Sequence, residues 1–190
     1  SSYMVDGNMD LATVLAPIVE NVIIAKNNEG KAYLVEWNFN GVGEMIVGQG
    51  YQIKTDAEVT LTIGGAYASP ESNPIAIVPG WNMIGYLATE ARDAKDVLVD
   101  INASGNLIIA KDYNGKAYLP EWDFNGIGNM VPGQGYQLKT NNSDELSYAS
   151  GAARSASKSV MLEEVKHFEK PSITDNNMTV VIEDAAWDAI

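Results

Sequence analysis

Apolar side chains recur along the chain with the period of an amphipathic helix in two places. In each place four of them stand at positions i, i+3, i+4 and i+7, which puts them on one helix face. The first set is Leu11, Val14, Leu15 and Ile18, and the second is Ala94, Val97, Leu98 and Ile101. Asp10 or Asp93 precedes each set, where a carboxylate accepts hydrogen bonds from free amides as an N-cap. The pattern predicts two short helices, the first cut short by Pro17.

The segments around these helices have the pattern of strands. Residues 106–111 are apolar and β-branched, and the Asn114-Gly115 pair predicts a tight hairpin turn before residues 116–119 return. Residues 59–63 predict a further strand in the first half of the chain. Residues 74–86 predict one or two strands ahead of the second helix.

The two halves of this pattern are copies of each other. Residues 21–55 align with residues 106–140 without a gap, and 24 of the 35 positions are identical. The match continues upstream to Tyr3 and Tyr86 after a difference of two residues in length. The second copy has a leading segment before this point, whereas the first begins inside the equivalent segment. We therefore expect the sheet of the first copy to have an open edge or a gap in its core.

The repeat predicts an α+β fold of two tandem modules, each a small, mostly antiparallel sheet with one short helix. Residues 1–72 form the first module, truncated at its N-terminus, and residues 73–148 form the second. Residues 149–171 begin with a run of small and polar residues, which predicts a linker. Residues 172–190 predict the start of a third β module, with a strand at residues 178–182.

The charge of the chain excludes several classes of partner. Of the 190 residues, 12 are Lys or Arg and 25 are Asp or Glu, which leaves a formal charge of −13. Nucleic acid and anionic membranes both attract clustered cations, so neither is an expected partner. No apolar run approaches the ~20 residues of a membrane-spanning helix, so we expect no membrane insertion. The chain has no cysteine and a single histidine, His167, which excludes thiolate and His-rich metal sites.

Aromatic side chains at repeated positions are the first candidate binding feature. They are Tyr33, Trp37, Phe39 and Tyr51 in the first copy and Tyr118, Trp122, Phe124 and Tyr136 in the second. Large aromatics kept together with neighbouring glycines are typical of a small core, so we expect them to be buried. The alternative is that exposed rings beside carboxylates and amides stack on sugars. Trp37 and Trp122 are the residues that such a carbohydrate platform would use.

Side chains with oxygen ligands lie in two neighbouring loops of the second copy, and they are the candidate metal site. They are Asp112, Asn114, Glu121, Asp123 and Asn125. Hard oxygen ligands are what calcium requires, but the spacing is not that of an EF-hand. Asn and Asp also serve turns for conformational reasons, and this is the simpler interpretation. A calcium ion, if bound, would be held by Asp112, Asn114, Asp123 and Asn125.

Catalysis is not expected. Glycoside hydrolysis needs two carboxylates in distinct environments beside a cleft, and the two copies share only one in this region, at Glu36 and Glu121. The Gly-x-Gly runs at residues 48–50 and 133–135 precede a strand, whereas a dinucleotide-binding turn precedes a helix. We therefore predict no catalytic and no cofactor-binding residues, and interpret these glycines as a bend.

Three segments resemble modules of large secreted and cell-surface proteins of Bacteroidota and related bacteria. They are the Gly80-Trp81-Asn82-Met83-Ile84 run, the block of residues 108–140, and the closing run of residues 176–187. Proteins of this group commonly end in a type IX secretion sorting domain. The resemblance therefore implies export to the cell surface or the extracellular space, and it implies no catalytic residues.

These observations predict a non-catalytic structural or adhesive repeat unit, not an enzyme. Its expected partners are neighbouring modules or copies of itself, which would add a strand to the open edge of the first copy. The alternative is a carbohydrate-binding accessory module of an exported enzyme that binds surface glycans at Trp37 and Trp122. A third class, an acidic spacer stabilised by calcium, predicts a higher melting temperature when calcium is present.

Overall fold

The computed structural model of the chain describes residues 3–5, 8–148 and 177–182, and for the first and last of these ranges the backbone alone. Its strands pair only in the antiparallel sense, in several small sheets, and its helices are few and short. The predicted α+β class is confirmed.

The elements of the first repeat are, in chain order, β1 (Tyr3–Val5), α1 (Leu11–Leu15), a 3₁₀-helix (Ala16–Asn21), β2 (Val22–Lys26), β3 (Ala32–Leu34), a 3₁₀-helix (Val35–Trp37), β4 (Phe39–Asn40), β5 (Gln52–Thr55) and β6 (Val59–Tyr67). After a 3₁₀-helix at Pro70–Ser72, those of the second repeat are β7 (Ile75–Ile77), β8 (Gly80–Gly85), β9 (Arg92–Asp93), α2 (Ala94–Val97), α3 (Val99–Ala103), β10 (Leu107–Lys111), β11 (Ala117–Leu119), a 3₁₀-helix (Pro120–Trp122), β12 (Phe124–Asn125), β13 (Asn129–Met130), β14 (Gly135–Thr140) and β15 (Asp144–Leu146). The last strand is β16 (Asn177–Ile182).

The helices begin where the two aspartates predict. The Thr13 amide donates to Asp10 Oδ2 at 3.0 Å, and the Lys95 amide donates to Asp93 Oδ1 at 2.8 Å. The α-helical part of the first helix ends at Leu15 and continues as a 3₁₀-helix that contains Pro17, as expected from the missing proline N–H. The second helix is also interrupted, between α2 and α3, which its pattern does not predict.

The two repeats build the same sheet with a different number of strands. In the second repeat the order is β12-β11-β10-β14-β8, and in the first it is β4-β3-β2-β5. Among the described residues, no equivalent of β8 pairs with β5. An open edge or a gap in the core of the first repeat stays a prediction.

Strand β8 connects the two repeats because both of its edges form hydrogen bonds. On one edge it pairs with β14 along its whole length. On the other edge the Gly50 amide donates to the Met83 carbonyl at 2.9 Å, and the Gly85 amide donates to the Gly48 carbonyl at 2.8 Å. A Cβ on Gly50 would lie 2.7 Å from the Ile84 carbonyl oxygen, so glycine is required for this approach. Gly-x-Gly at residues 48–50 is thus a joint between repeats, and the interpretation as a bend alone was incomplete.

Each repeat has a separate hydrophobic core. The first contains Leu11, Val14, Leu15, Ile18, Val22, Ala25, Tyr33, Leu61 and Ile63. The second is larger and includes Tyr86, Tyr136 and Tyr148, with the ring of Tyr86 edge-on to both others. The Tyr148 hydroxyl donates to the Gly85 carbonyl at 3.0 Å. Burial raises the pKa of Tyr86 and of Tyr136 to about 12, and it raises the pKa of Tyr148 as well.

The last strand, β16, pairs with β6 of the first repeat. Its register runs from Asn177 opposite Gly64 to Ile182 opposite Val59. In the second repeat the equivalent of β6 is β15, which pairs with β7. A strand is therefore present near residue 178 as the pattern predicts. It pairs with β6 in the first repeat as β7 pairs with β15 in the second. The linker at residues 149–171 lies outside the described residues and stays a prediction. Of the third module predicted at residues 172–190, only β16 is described, and that module stays a prediction as well.

We predict that Gly50→Ala destabilises the chain by roughly 1–3 kcal/mol, because its methyl group would overlap the backbone of β8. Gly135→Ala is the matched control at the equivalent position of the second repeat, where a Cβ meets its nearest neighbour at 3.4 Å, an ordinary contact. Urea unfolding of the two variants measures the difference. Equal midpoints for both variants would contradict the close contact of Gly50 with β8.

The buried tyrosines predict a loss of stability at alkaline pH. Their pKa is raised in the folded chain, so the stability they contribute is complete below about pH 10 and declines as the pH rises towards about 12. Urea titrations at about pH 8 and about pH 11 measure the loss. Tyr86→Phe removes one titrating group and is expected to reduce the loss; an unchanged loss would contradict the assignment.

Candidate functional site

A short 3₁₀-helix places one tryptophan of each repeat on the surface. The residue that follows this helix is Asn38 in the first repeat and Asp123 in the second. Their φ angles of 47° and 48° lie in the left-handed region. The amide of this residue donates to the carbonyl of Val35 or Pro120 at 3.0 Å, which closes the turn. Trp37 and Trp122, just before it, are each 70% exposed. The expectation that these tryptophans fill the core is wrong.

The other aromatics divide between the two faces of the sheet. The expected burial is also wrong for Phe39 and Phe124, which are exposed. Tyr33, Tyr118 and Tyr136 are buried as predicted, and Tyr51 is half-buried. Tyr118 lies on the helical side, since the Asn102 amide group of α3 donates to its hydroxyl at 3.1 Å. Side chains of adjacent strand residues point to opposite faces, so the neighbours of Tyr118 along β11 face away from the core. The repeated aromatics thus serve two purposes, a core on one face and a surface on the other.

The outward face of the second sheet carries a continuous row of side chains across its strands. Register places Trp81 of β8 opposite Lys139 of β14, and Lys139 opposite Ile109 of β10. At the far side, Leu119 of β11 lies opposite Phe124 of β12. The exposed side chains of this row form one platform with an apolar floor.

A shallow groove with a volume of about 270 Å³ lies on this platform. Its lining residues are Trp81, Ile108, Ile109, Lys111, Leu119, Glu121, Trp122 and Lys139. The ammonium groups of Lys111 and Lys139 lie 5.4 Å and 5.8 Å from the centroid of the Trp81 ring, within the range of cation–π attraction. Two indole rings, two ammonium groups and one carboxylate therefore surround the groove.

Trp81, Lys111 and Lys139 were not among the site residues predicted from sequence. The signal that could have found Trp81 is its alternation along β8 with Asn82 and Ile84, which are 4% and 1% exposed. Because adjacent residues of a strand face opposite sides, Asn82 and Ile84 share the side of the core and Trp81 lies on the other side. The first repeat has no described strand at this place, so within the described residues no second tryptophan accompanies Trp37 as Trp81 accompanies Trp122.

The four residues predicted to hold calcium are engaged in turns and an ion pair. Asp112 Oδ1 accepts from the amides of Asn114 and Lys116, at 2.9 Å and 2.8 Å. Asp123 Oδ1 lies 2.6 Å from the ammonium group of Lys95, which raises the pKa of that lysine through a side-chain hydrogen bond.

Asn125 Oδ1 accepts from the Gly128 amide at 3.0 Å, and its Nδ2 donates to Asp93 Oδ1 at 3.1 Å. Within residues 8–148, no group of three or more His, Cys, Asp or Glu side chains is placed to hold a metal ion. Calcium at Asp112, Asn114, Asp123 and Asn125 stays a prediction. His167 lies outside the described residues.

No family model, curated protein or solved structure is significantly similar to the chain. The resemblance to exported modules of Bacteroidota therefore stays a prediction. In the part of the chain that the structure describes, no helix has the length and the apolar character needed to cross a membrane.

Proposed function

We propose that the chain is a non-catalytic structural and adhesive repeat unit of an extracellular or cell-surface protein, and that it joins neighbouring modules or copies of itself by strand addition. The observation that carries the proposal is the joint between the two repeats. That joint is itself a strand addition, since β8 completes the sheet of the second repeat and bonds to residues 48–50 of the first.

The architecture of each repeat supports this role. Each has its own core, so a unit can be repeated without a new fold at every step. Within the described residues no strand pairs with the second edge of β5, and a strand edge of this kind offers backbone donors and acceptors to a further strand. The formal charge of −13 favours solubility of a long array.

We predict that the molar mass of the full chain rises with concentration, because copies pair at β5. Light scattering behind size exclusion, with negative-stain images of the same samples, measures it. Ile53→Pro removes an N–H from β5 and is tolerated on an edge strand, so it is expected to hold the chain as a monomer. Ile53→Val keeps that N–H and is the control. A wild-type monomer at every concentration would contradict self-assembly.

A second function, carbohydrate binding, is favoured by the exposure of Trp37 and Trp122. Flat aromatic faces offer apolar area to the C–H faces of sugar rings, and polar side chains beside them offer hydrogen bonds to the hydroxyls. The groove of the second repeat combines both, with Trp81 and Trp122 as rings and Glu121 as acceptor. We propose a surface glycan as its ligand.

We predict that Trp122→Ala weakens binding of the chain to its polysaccharide about tenfold or more, ~1.4 kcal/mol or more. Trp37→Ala is the matched control, because this ring stands in the repeat without a described second tryptophan. Affinity electrophoresis against a panel of neutral and acidic polysaccharides measures the effect. Melting curves check that neither variant unfolds, as expected for rings that are 70% exposed. Binding that is absent across the panel, or equally weakened by both variants, would overturn the groove as a glycan site.

A further inference from the structure

The groove on the second sheet is positively charged, although the chain as a whole is acidic. Lys111 and Lys139 both line it, and neither ammonium group forms an ion pair with a carboxylate of the described residues. Among the described residues that line the groove, Glu121 supplies the one carboxylate. Two ammonium groups against one carboxylate leave the groove with a net charge of +1, whereas the chain carries −13.

The strands hold both ammonium groups close to one indole ring. Lys139 lies opposite Trp81 in the register of β14 and β8, and Lys111 lies two residues beyond Ile109 on the same face of β10. The ammonium groups lie 5.4 Å and 5.8 Å from the ring centroid, and both lysines are half-buried. These contacts restrict the two side chains before a ligand arrives, so less conformational entropy is lost on binding.

The floor of the groove is apolar and longer than a single sugar ring. A bulge in β10 shifts the register between Leu107 and Ile109, and both Ile108 and Ile109 line the groove. From β8 to β11 the sheet spans three strand spacings, about 14 Å. A shallow groove of about 270 Å³ along this distance suits a short stretch of an extended chain.

We propose that this groove binds an acidic glycan, with a carboxylate or sulfate group of one sugar in contact with the ammonium groups of Lys111 and Lys139. The inference deepens the proposed carbohydrate binding and rests on it, because it names the chemical class of the ligand. Ammonium groups form stronger hydrogen bonds with charged oxygens than with neutral ones. Stacking of the sugar on Trp81 brings its acidic group to both lysines, whereas a neutral glycan leaves both charges without a charged partner.

Glu121 gives the groove a direction. It lies beside Trp122 in the 3₁₀-helix that follows β11, two strands away from Trp81 of β8 across the sheet. A carboxylate accepts hydrogen bonds from sugar hydroxyls and repels acidic groups. We therefore expect the acidic sugar at Trp81 and a neutral sugar at Trp122. Glycans in which acidic and neutral sugars alternate are expected to bind more tightly than those in which every sugar is acidic.

The acidic character of the chain is compatible with such a ligand at physiological salt. Interactions between exposed charges are largely screened beyond about 8 Å at about 0.15 M ionic strength, so the charges within the groove dominate the contact. Two ammonium groups are too few for nucleic acid, whose binding takes many phosphate contacts, but they are enough for one acidic sugar.

Isothermal titration calorimetry of the full chain at about 0.15 M salt tests the ligand class with two matched pairs of oligosaccharides. One pair is hyaluronan and its carboxyl-reduced form, and the other is κ-carrageenan and its desulfated form. We expect at least one acidic member to bind about tenfold more tightly than its neutral partner, and the pair that shows the difference tells carboxylate from sulfate. Equal affinity within both pairs, or no binding to any of the four, would overturn the acidic ligand. Carbohydrate binding itself is decided by the wider panel of polysaccharides.

Charge variants test whether the lysines of the groove cause the preference. Lys111→Gln combined with Lys139→Gln is expected to weaken binding of the acidic member about tenfold or more and to leave the neutral member unchanged. The matched control is Lys31→Gln combined with Lys116→Gln, which removes the same two charges from exposed residues outside the groove lining. Equal weakening by both pairs would overturn the proposal, because the net charge of the chain would then explain the effect.

Two further variants keep the test decisive if the glutamines destabilise the sheet. Lys111→Arg combined with Lys139→Arg retains both charges, so it is expected to retain the affinity for the acidic member. Glu121→Gln removes the carboxylate from the groove, so it is expected to tighten binding of polygalacturonate, in which every sugar is acidic, by about threefold or more. Melting curves of each variant check that it is folded. Affinity for polygalacturonate that is unchanged in Glu121→Gln would overturn the proposed direction of the ligand.

Discussion

The backbone of β8 divides its hydrogen bonds between two repeats, and most features of the molecule depend on this division. The carbonyl of Met83 and the amide of Gly85 face the first repeat, whereas the ladder with β14 uses the alternate residues. Neither partner can be removed without leaving backbone groups unpaired. Glycine is required at position 50 because two sheets meet at one strand. Each repeat keeps its own core beside this joint.

The same strand makes two nearly identical sequences differ as structures. With β8 in place, the second repeat has buried Tyr136 and Leu138 side chains in β14, a Thr140 hydroxyl that donates to the Val78 carbonyl, and the second tryptophan of a groove. In the described part of the first repeat, Ile53 of β5 is half-buried, the buried Thr55 hydroxyl has no hydrogen-bond partner, and Trp37 is exposed. Stability and the two proposed functions, assembly and glycan binding, therefore depend on one element, since the strand that closes the sheet also brings Trp81 to its outer face.

Local chemistry made part of this structure predictable from sequence. The N-caps at Asp10 and Asp93 and the hairpin turns follow from residues within a few positions of one another, and the internal repeat predicts that the two halves build the same sheet. The exposed tryptophans could not be predicted in this way, because the left-handed residue after each ring decides its face. The role of Gly50 could not be predicted either, because its partner Ile84 is remote in sequence and meets it only once both repeats are folded.

The central claim is that β8 pairs with β14, whereas no described strand pairs with the same edge of β5. Amide hydrogen exchange of the full chain tests this claim most directly. The Tyr86 amide donates to the Gln134 carbonyl, so the amides two and four residues further along β14, at Tyr136 and Leu138, face β8. The amides at Tyr51 and Ile53 face the edge of β5 with which no described strand pairs. We expect the two amides in β14, at Tyr136 and Leu138, to exchange at least about a hundredfold more slowly than the two amides in β5. Equal protection of both pairs would contradict it.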